Sequence, residues 1–339
     1  LHSTSRRQRQ MCIRDRLKEN AIADLSDVFD EELTSKLVGG ITENSAAQPY
    51  GDGKVYLAPI TYTPTGFWYN KDLFGEGKYT LPTTWEEFFA LGDQVKAEGK
   101  SVFTYPTTGY FDTTMYQMLA QAGGMDFYNK AVQYDKNTWT SAEGKEVVDT
   151  IAKLASPEYL WSDTVANANA DGGFKLNQQA VIDGQALFMP NGNWVIGEMA
   201  ATTPEDFRWG MMPAPKWDGD EKQTMYTFTE QMWIPAEAEH MDLAKEFIKF
   251  MYSDTVVDIL LNNETTDKET GKTSPAPVVA PVKGAADKLP EGTTRDCYAA
   301  STADNIVTVT GGWVATQPIE GLNTVSYTHL RAHETAANL

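Results

Sequence analysis

The chain has 339 residues, of which 28 are Lys or Arg and 47 are Asp or Glu, giving a formal net charge of −19 at pH 7. So acidic a chain repels the phosphate backbone of nucleic acids, which argues against a nucleic-acid partner. No apolar run approaches the ~20 residues needed to span a bilayer. Of the two cysteines, Cys12 lies in a terminal tail, and Cys297 alone allows neither an internal disulfide nor a Cys-based metal site. We therefore predict neither a metal nor a cofactor.

The two ends of the chain are related to each other at the level of codons. Residues 10–15, QMCIRD, can be written CAG ATG TGT ATA AGA GAC, whose reverse complement encodes VSYTHL, the sequence of residues 325–330. This is typical of a transposase-type sequencing-library adaptor translated at both ends; a basic arm for nucleic acid or membrane is the alternative. We predict that residues 1–16 and 325–339 are not part of the fold. Without the six basic and two acidic residues of these tails, 22 basic and 45 acidic residues remain, a net charge of −23.

The first clearly patterned stretch lies between residues 50 and 99. Residues 55–62 combine β-formers with turn residues, which predicts a strand and an extended crossing segment, and residues 67–69 predict a separate buried strand. Thr84 and Glu87 have the spacing of a capping box, so a helix is predicted to begin after Thr84.

A strand-to-helix junction follows. Residues 101–105 predict a short strand, and residues 112–122 predict a helix that ends at the glycine pair after it. Tyr105, Tyr110 and Phe111 lie at this junction, where open α/β sheets place their ligands. These three aromatic residues are therefore candidate ligand contacts.

The next predicted strand ends in Asn191-Gly-Asn-Trp194. A glycine between two asparagines predicts a turn with positive φ at Gly192. A tryptophan just beyond a strand end can be a platform for the C–H face of a pyranose ring, while the amides of Asn191 and Asn193 bond hydroxyl groups. Packing in the core is the alternative for Trp194.

Residues 227–235 predict a second extended segment that crosses back to the first part of the chain. Glu230 lies in this crossing, and its carboxylate can accept hydrogen bonds from two sugar hydroxyls; a solvated loop carboxylate is the alternative. Asp242 is then predicted to cap a helix whose apolar face includes Leu243 and Phe247.

Two sets of motifs carry a family resemblance. The first is Gly51-Asp-Gly-Lys-Val-Tyr, then Pro59, then Trp68-Tyr-Asn-Lys-Asp-Leu-Phe, then Pro82-Thr-Thr-Trp-Glu-Glu-Phe. In this order and spacing they resemble the extracellular solute-binding proteins of carbohydrate ABC transporters, the maltose-binding-protein superfamily (family 1), over about residues 17–323. The second, Thr104-Tyr-Pro and residues 230–236 (EQMWIPA), is similar to the branch that binds N-acetylglucosamine and chitobiose.

The resemblance implies an α/β, two-lobe periplasmic-binding-protein-like fold of type II, with a hinge between the lobes and an incomplete N-terminal lobe. It implies a first lobe of residues 17–62 and 232–296 and a second lobe of residues 63–231 and 297–324. The signal peptide, any lipidated N-terminus, the first strands and the last helices are then expected to be missing from this chain.

The site that the resemblance implies lies in the cleft between the lobes. Tyr62 and Thr63, at the first crossing, are expected to contact the ligand, and Trp313 is similar to a late aromatic residue that the family offers to its sugar. These residues join the candidates selected above.

The function that the resemblance implies is the binding of a sugar or short oligosaccharide and its delivery to the permease subunits of an ABC transporter, without catalysis. The protein is expected to be an extracytoplasmic monomer, either periplasmic or a cell-surface lipoprotein. A glycoside hydrolase is the first alternative, although the paired carboxylates that hydrolysis needs are not evident in the sequence. A lectin-like carbohydrate-binding module without a transporter is the second.

Overall fold

The structure, a computed structural model, describes residues 16–17, 19–75, 78–132, 135–266, 271 and 273–310. The helices are α1 (Glu31–Lys36), α2 (Trp85–Lys96), α3 (Thr108–Val132), α4 (Lys136–Thr140), α5 (Ala142–Leu154), α6 (Thr164–Asn169), α7 (Phe174–Ile182), α8 (Trp194–Glu198), α9 (Met241–Phe250), α10 (Asp254–Leu261) and α11 (Thr293–Ser301). The strands are β1 (Ala58–Asn70), β2 (Ser101–Phe103), β3 (Ala186–Asn191), β4 (Trp209–Met212), β5 (Gln223–Met232), β6 (Glu264–Thr266), β7 (Thr273–Pro275) and β8 (Ile306–Val309). Residues 71–73 and 286–288 form single turns of 3₁₀ helix.

The long strand β1 organises the main sheet, in which the strand order is β2, β3, β1, β5, β8 and β4 also pairs with β1. Residues 58–65 of β1 pair antiparallel with β5, and residues 66–70 pair antiparallel with β3 and β4. The register with β5 shifts between Pro59 and Thr61, which is where a strand tolerates a proline without an amide hydrogen. The predicted crossing segment and buried strand are therefore one continuous strand that changes its partners along its length.

The two largest clusters of buried apolar side chains contact opposite ends of β1. One contains Phe67 and Phe188 together with most of the apolar residues between positions 67 and 228. The other contains Ala58 and Tyr62 together with apolar residues between positions 23 and 55 and between positions 234 and 298. Burial of apolar area at ~25 cal/mol per Å² stabilises each cluster separately, and β1 and β5 connect them.

The predicted capping box is present at the start of α2. The amide nitrogen of Glu87 donates to Thr84 Oγ1 at 3.2 Å, and the Glu87 carboxylate accepts from the amide of Thr84 at 3.3 Å. Both bonds satisfy amides that have no partner inside the helix. Trp85 and Phe88 then face the larger cluster, so α2 fixes one wall of the sheet that carries the candidate site.

Two helices differ from their predictions. The helix predicted over residues 112–122 is α3, which begins earlier and continues to Val132 through a kink where Gly124 has φ +74°. At α9, the cap position is His240 and Asp242 lies inside the first turn, where its charge still favours the helix dipole. The predicted apolar face of α9 is only partly buried: Ile248 packs in the smaller cluster, whereas Leu243 is 71% accessible.

The predicted tails lie outside the described residues, except for Arg16, whose guanidinium is 5.4 Å from the ring centroid of Trp233. Leu17, the first residue of the predicted fold, is buried, and its carbonyl accepts a hydrogen bond from Tyr50 Oη at 2.7 Å. Among the described helices, none is both long and apolar enough to cross a membrane. The same part of the chain has no group of three or more His, Cys, Asp or Glu that could hold a metal ion.

Candidate functional site

The turn after β3 presents Trp194 at the edge of the sheet. All six residues of β3 are buried, and α8 begins directly at Trp194. The prediction of positive φ at Gly192 was wrong: the backbone of this residue does not adopt a positive φ. A side chain at Gly192 would instead overlap the indole ring of Trp194. Glycine is therefore required here for close packing of the ring on the backbone.

Two aromatic rings hold the indole of Trp194. Its Nε1 donates a hydrogen bond to the hydroxyl of Tyr110 at 3.0 Å, and the two ring centroids are 6.0 Å apart. The ring of Phe228 meets it edge to face, at 5.8 Å and 71°. Trp194, Tyr110 and Phe228 are all half-buried. The contacts come from α8, α3 and β5, so three separate elements fix the orientation of this aromatic surface.

The carboxylate of Glu230 lies on the same face of β5 as Phe228, because side chains two residues apart in a strand point to the same side. Glu230 is exposed and lies opposite Thr61 of β1. Thr63 lies opposite Phe228 and is half-buried. We call this side of the β1–β5 pair the Trp194 face.

Tyr62 points to the other side of the strand pair, which we call the Tyr62 face. Its ring packs edge to face on Tyr298 at 5.2 Å and 81°. Burial, and then the nearby carboxylate of Asp287, raises the pKa of Tyr62 to about 12. Burial also raises the pKa of Tyr298, and a hydrogen bond with the Thr63 side chain partly offsets this rise. Tyr62 therefore points to the side of β1 opposite Thr63, while Tyr298 contacts the side chains of both residues.

Asn191 and Asn193 differ in what their amides do. Asn191 is 1% accessible, and its Oδ1 accepts from the amide of Gly192 at 2.9 Å, so this side chain stabilises the turn. Asn193 is half-buried, and its side chain does not cap α8. Asn193 is thus the residue of this pair whose side-chain amide is partly accessible beside Trp194.

Tyr105 and Phe111 lie inside the larger apolar cluster. They are 1% and 2% accessible, and their ring centroids are 5.1 Å apart. The carbonyl of Tyr105 accepts from Nδ2 of the buried Asn177 at 2.8 Å. Packing accounts for both rings in this conformation. The predicted contact Trp313 lies outside the described residues.

The sequence interpretation missed Phe228. The signal that could have identified it is its separation by two from Glu230 in a strand, which places an aromatic ring beside the carboxylate on one face.

Comparison with known proteins places these observations in a family. Residues 15–265 match the sequence profile of the family described as bacterial extracellular solute-binding protein. A diacetylchitobiose-binding protein, NgcE, of Streptomyces coelicolor is 25% identical over 235 residues, which cover 67% of this chain and 46% of NgcE. A probable sugar-binding periplasmic protein of Brucella suis is 29% identical over 201 residues, 58% of this chain and 45% of that protein. The chain thus spans about half the length of these curated relatives.

A solved structure titled chitin oligosaccharide binding protein has the same fold, with a TM-score of 0.62 and 19% identity over 95% of this chain and 80% of that one. The predicted α/β fold of two lobes is confirmed by this likeness. The family profile matches about three quarters of this chain, and the chain therefore belongs to the bacterial extracellular solute-binding proteins.

Proposed function

We propose that this chain binds a sugar or short oligosaccharide on the Trp194 face and that the protein delivers it to the permease subunits of an ABC transporter. It acts outside the cytoplasm, as a monomer, without catalysis and without a cofactor. The proposal covers two forms of the protein. One is anchored to the membrane through an N-terminal lipid, and the other is a soluble periplasmic protein.

The observation that carries the proposal is the combination of Trp194, Tyr110, Phe228 and Glu230 on one side of the crossing strands. The C–H face of a pyranose packs on an aromatic ring, and a carboxylate accepts hydrogen bonds from neighbouring hydroxyls. An exposed carboxylate beside half-buried aromatic rings offers both interactions within the reach of one saccharide.

We propose N-acetylglucosamine oligosaccharides as the first ligands to test. The names of two similar proteins, one binding diacetylchitobiose and one binding chitin oligosaccharides, support this choice. Asn193 adds an amide beside Trp194, and an amide both donates and accepts, as the acetamido group of such sugars does.

The lobes of the proposal are residues 17–62 with 232–296 and residues 63–231 with 297–324. Binding closes them by bending at the crossings near Tyr62 and Glu230. The two apolar clusters at opposite ends of β1 support this division, since each cluster can move as a unit while the strands between them bend. Tyr298 departs from it, because this residue packs in the cluster of the first lobe. The closed form then docks on the permease.

A saccharide titration of the full chain and of two matched variants tests the proposal. Trp194→Phe is expected to weaken binding of N,N′-diacetylchitobiose by roughly tenfold, because it removes the hydrogen bond to Tyr110 and part of a ring contact whose complete truncation costs ~2 kcal/mol at a hot spot. Trp217→Phe is the control, since Trp217 is half-buried and its Nε1 donates to Thr150 Oγ1 at 3.1 Å, away from the Trp194 face.

The control is expected to leave affinity unchanged. Equal affinities of the two variants, or no binding by the unmodified chain across N-acetylglucosamine, xylo- and malto-oligosaccharides, would contradict the proposal. Release of monosaccharide during the titration would contradict the absence of catalysis.

A further inference from the structure

The base of the β6–β7 hairpin lies against α8, the short helix that begins at Trp194. A Cβ placed on Gly197 of this helix would lie 3.4 Å from Cγ2 of Thr265 and 3.9 Å from Cβ of Ala276. At such distances a methyl group is in van der Waals contact with both residues. In the division proposed above, Gly197 belongs to the second lobe and the hairpin to the first, so the two lobes meet here as well as at the crossing strands.

The α8 side of this contact is fixed to the second lobe. Val195 is fully buried in a third apolar cluster, which also contains Trp68. Gly197 follows Trp194 by three residues, and positions three apart lie on the same side of a helix. The hairpin therefore borders the side of α8 that carries the indole.

The hairpin side of the contact is fixed to the first lobe. The amide of Ala276 donates to the carbonyl of Asn263 at 2.8 Å, and Nδ2 of Asn263 donates to the carbonyl of Ala276 at 2.9 Å. The amide of Val278 donates to the carbonyl of Leu260 in α10 at 2.9 Å, and Val279 is fully buried in the smaller cluster. These bonds make the base of the hairpin move with the first lobe.

The contact itself is small and accessible to solvent. Thr265 is exposed, and Gly197 and Ala276 are half-buried. Because only a methyl group and an alanine meet the glycine, little apolar area is buried, and little free energy is lost when the contact opens. Such a contact can break and re-form as the lobes bend at the crossings.

We propose that Gly197, Thr265 and Ala276 form a latch, which closes with the lobes, holds Trp194 beside the first lobe and raises the affinity of the Trp194 face for sugar. This inference rests on the proposed function. A saccharide that touches both lobes favours the arrangement in which they are together, and a contact made in that arrangement adds to the same preference. By reciprocity, sugar stabilises the latch as much as the latch stabilises sugar binding. The three are positioning residues, since they act through Trp194.

The side chain at position 197 should adjust the latch in both directions. Gly197→Ala adds a methyl group in contact with Thr265 and Ala276, and the φ of this residue is not positive, so alanine fits. Affinity for N,N′-diacetylchitobiose is expected to rise roughly two- to fourfold. Gly197→Leu adds atoms beyond that methyl group, which displace the hairpin, and affinity is expected to fall. Gly39→Ala is the control, because an added Cβ there meets nothing within 4 Å.

A reversible disulfide tests the latch most sharply. The 3.9 Å between the Cβ positions of residues 197 and 276 lies within the ~3.5–4.5 Å typical of disulfides. Gly197→Cys and Ala276→Cys are combined in the full chain with Cys12→Ser, which leaves the buried Cys297 as the other thiol. The probe is N,N′-diacetylchitobiose, or a xylo- or malto-oligosaccharide if the unmodified chain binds that sugar instead. Bound sugar is expected to speed formation of the disulfide.

The double variant is oxidised with the sugar bound, and release of the sugar is then measured. The oxidised protein is expected to release it roughly tenfold more slowly than the same protein after reduction with dithiothreitol. Reduction is the matched control, because the sequence is unchanged. A contact that served packing alone would raise resistance to unfolding on oxidation and leave the release rate as it was.

Equal release rates of the oxidised and reduced proteins would overturn the latch. It would also be overturned if no disulfide formed, or if sugar slowed disulfide formation or left its rate unchanged. Failure of the proposed function would appear differently, as absence of binding of all these oligosaccharides by the reduced variant and by the unmodified chain, and it would overturn the latch as well. Binding by the reduced protein therefore distinguishes the two failures.

Discussion

The two faces of the β1–β5 pair offer different chemistry although they share the same backbone. On the Trp194 face, an indole is held between Tyr110 and Phe228 and its Nε1 has a partner. On the Tyr62 face, Tyr62 packs edge to face on Tyr298 beside a cavity of about 1210 Å³ that Thr227 also lines. Side-chain alternation along a strand produces this difference, so neighbours in sequence, such as Thr227 and Phe228, serve different surfaces.

The strongest way to separate packing from binding is to compare Trp68 with Trp194. Trp68 is fully buried, its ring centroid is 6.1 Å from that of Trp209, and its Nε1 donates to the carbonyl of Asn191 at 3.0 Å. Trp68→Ala is expected to lower the free energy of unfolding by ~3–5 kcal/mol. Urea unfolding measures this loss; a smaller loss than that of Trp194→Ala would contradict the assignment of Trp68 to the core.

A glycine substitution can disturb the Trp194 face without touching Trp194 itself. Gly192→Ala adds a Cβ that overlaps the indole, which costs ~1–3 kcal/mol as overpacking or displaces the ring. We expect weaker sugar binding and a loss of unfolding free energy, both measurable on one preparation. In a Trp194→Ala background the same change should cost much less; an undiminished cost would show that the ring is not the obstacle.

A pH series tests the burial of Cys297 in α11. This helix contacts two parts of the fold, because Cys297 lies in the same apolar cluster as Trp68 and Tyr298 packs on Tyr62. Burial, followed by the nearby Asp296, raises the pKa of the Cys297 thiol to about 12, above the ~8.5 of an exposed thiol. The stabilisation that comes from keeping this thiol protonated is complete below pH ~8.5. It is lost as pH rises towards 12, because the unfolded chain releases its thiol proton first. The free energy of unfolding should fall by up to ~1.4 kcal/mol per pH unit in that window.

Cys297→Ala is the control for this series, because alanine has no proton to lose. The part of the alkaline slope that belongs to the thiol should disappear in this variant. Identical slopes for the two proteins between pH 8.5 and 10 would contradict the burial of the thiol.

The smallest expected effect concerns the hydroxyl of Tyr110. Tyr110→Phe removes the acceptor of the Trp194 Nε1 hydrogen bond, a net contribution of ~0.5–1.5 kcal/mol. Affinity for the sugar should fall by roughly three- to tenfold, with little change in stability because the ring remains. Tyr116→Phe, on the same helix but packed on Tyr128 and Tyr226, is the control and should leave affinity unchanged.

Local sequence signals predicted those features that depend on a few consecutive residues. Thr84 and Glu87 specify the start of α2 because the capping bonds form between residues three apart. The position of Trp194 beyond a buried strand was likewise evident, although the glycine before it serves packing and not positive φ.

The side to which a residue points was harder to predict. The register shift between Pro59 and Thr61 changes the phase of alternation along β1, so Tyr62 could not be assigned to a face from its position alone. Tyr105 and Phe111 were selected because they lie at a strand end. Their burial depends on helices distant in sequence, which no local pattern encodes.

Fluorine NMR of the chain labelled with 5-fluorotryptophan tests most directly whether the Trp194 face binds sugar. The chain contains nine tryptophans, and the resonances of Trp68 and Trp194 are assigned by replacing each with phenylalanine in turn. During titration with N,N′-diacetylchitobiose, the resonance of Trp194 is expected to shift saturably while that of Trp68 stays in place. A Trp194 resonance that remains fixed while other tryptophan resonances shift would contradict the account.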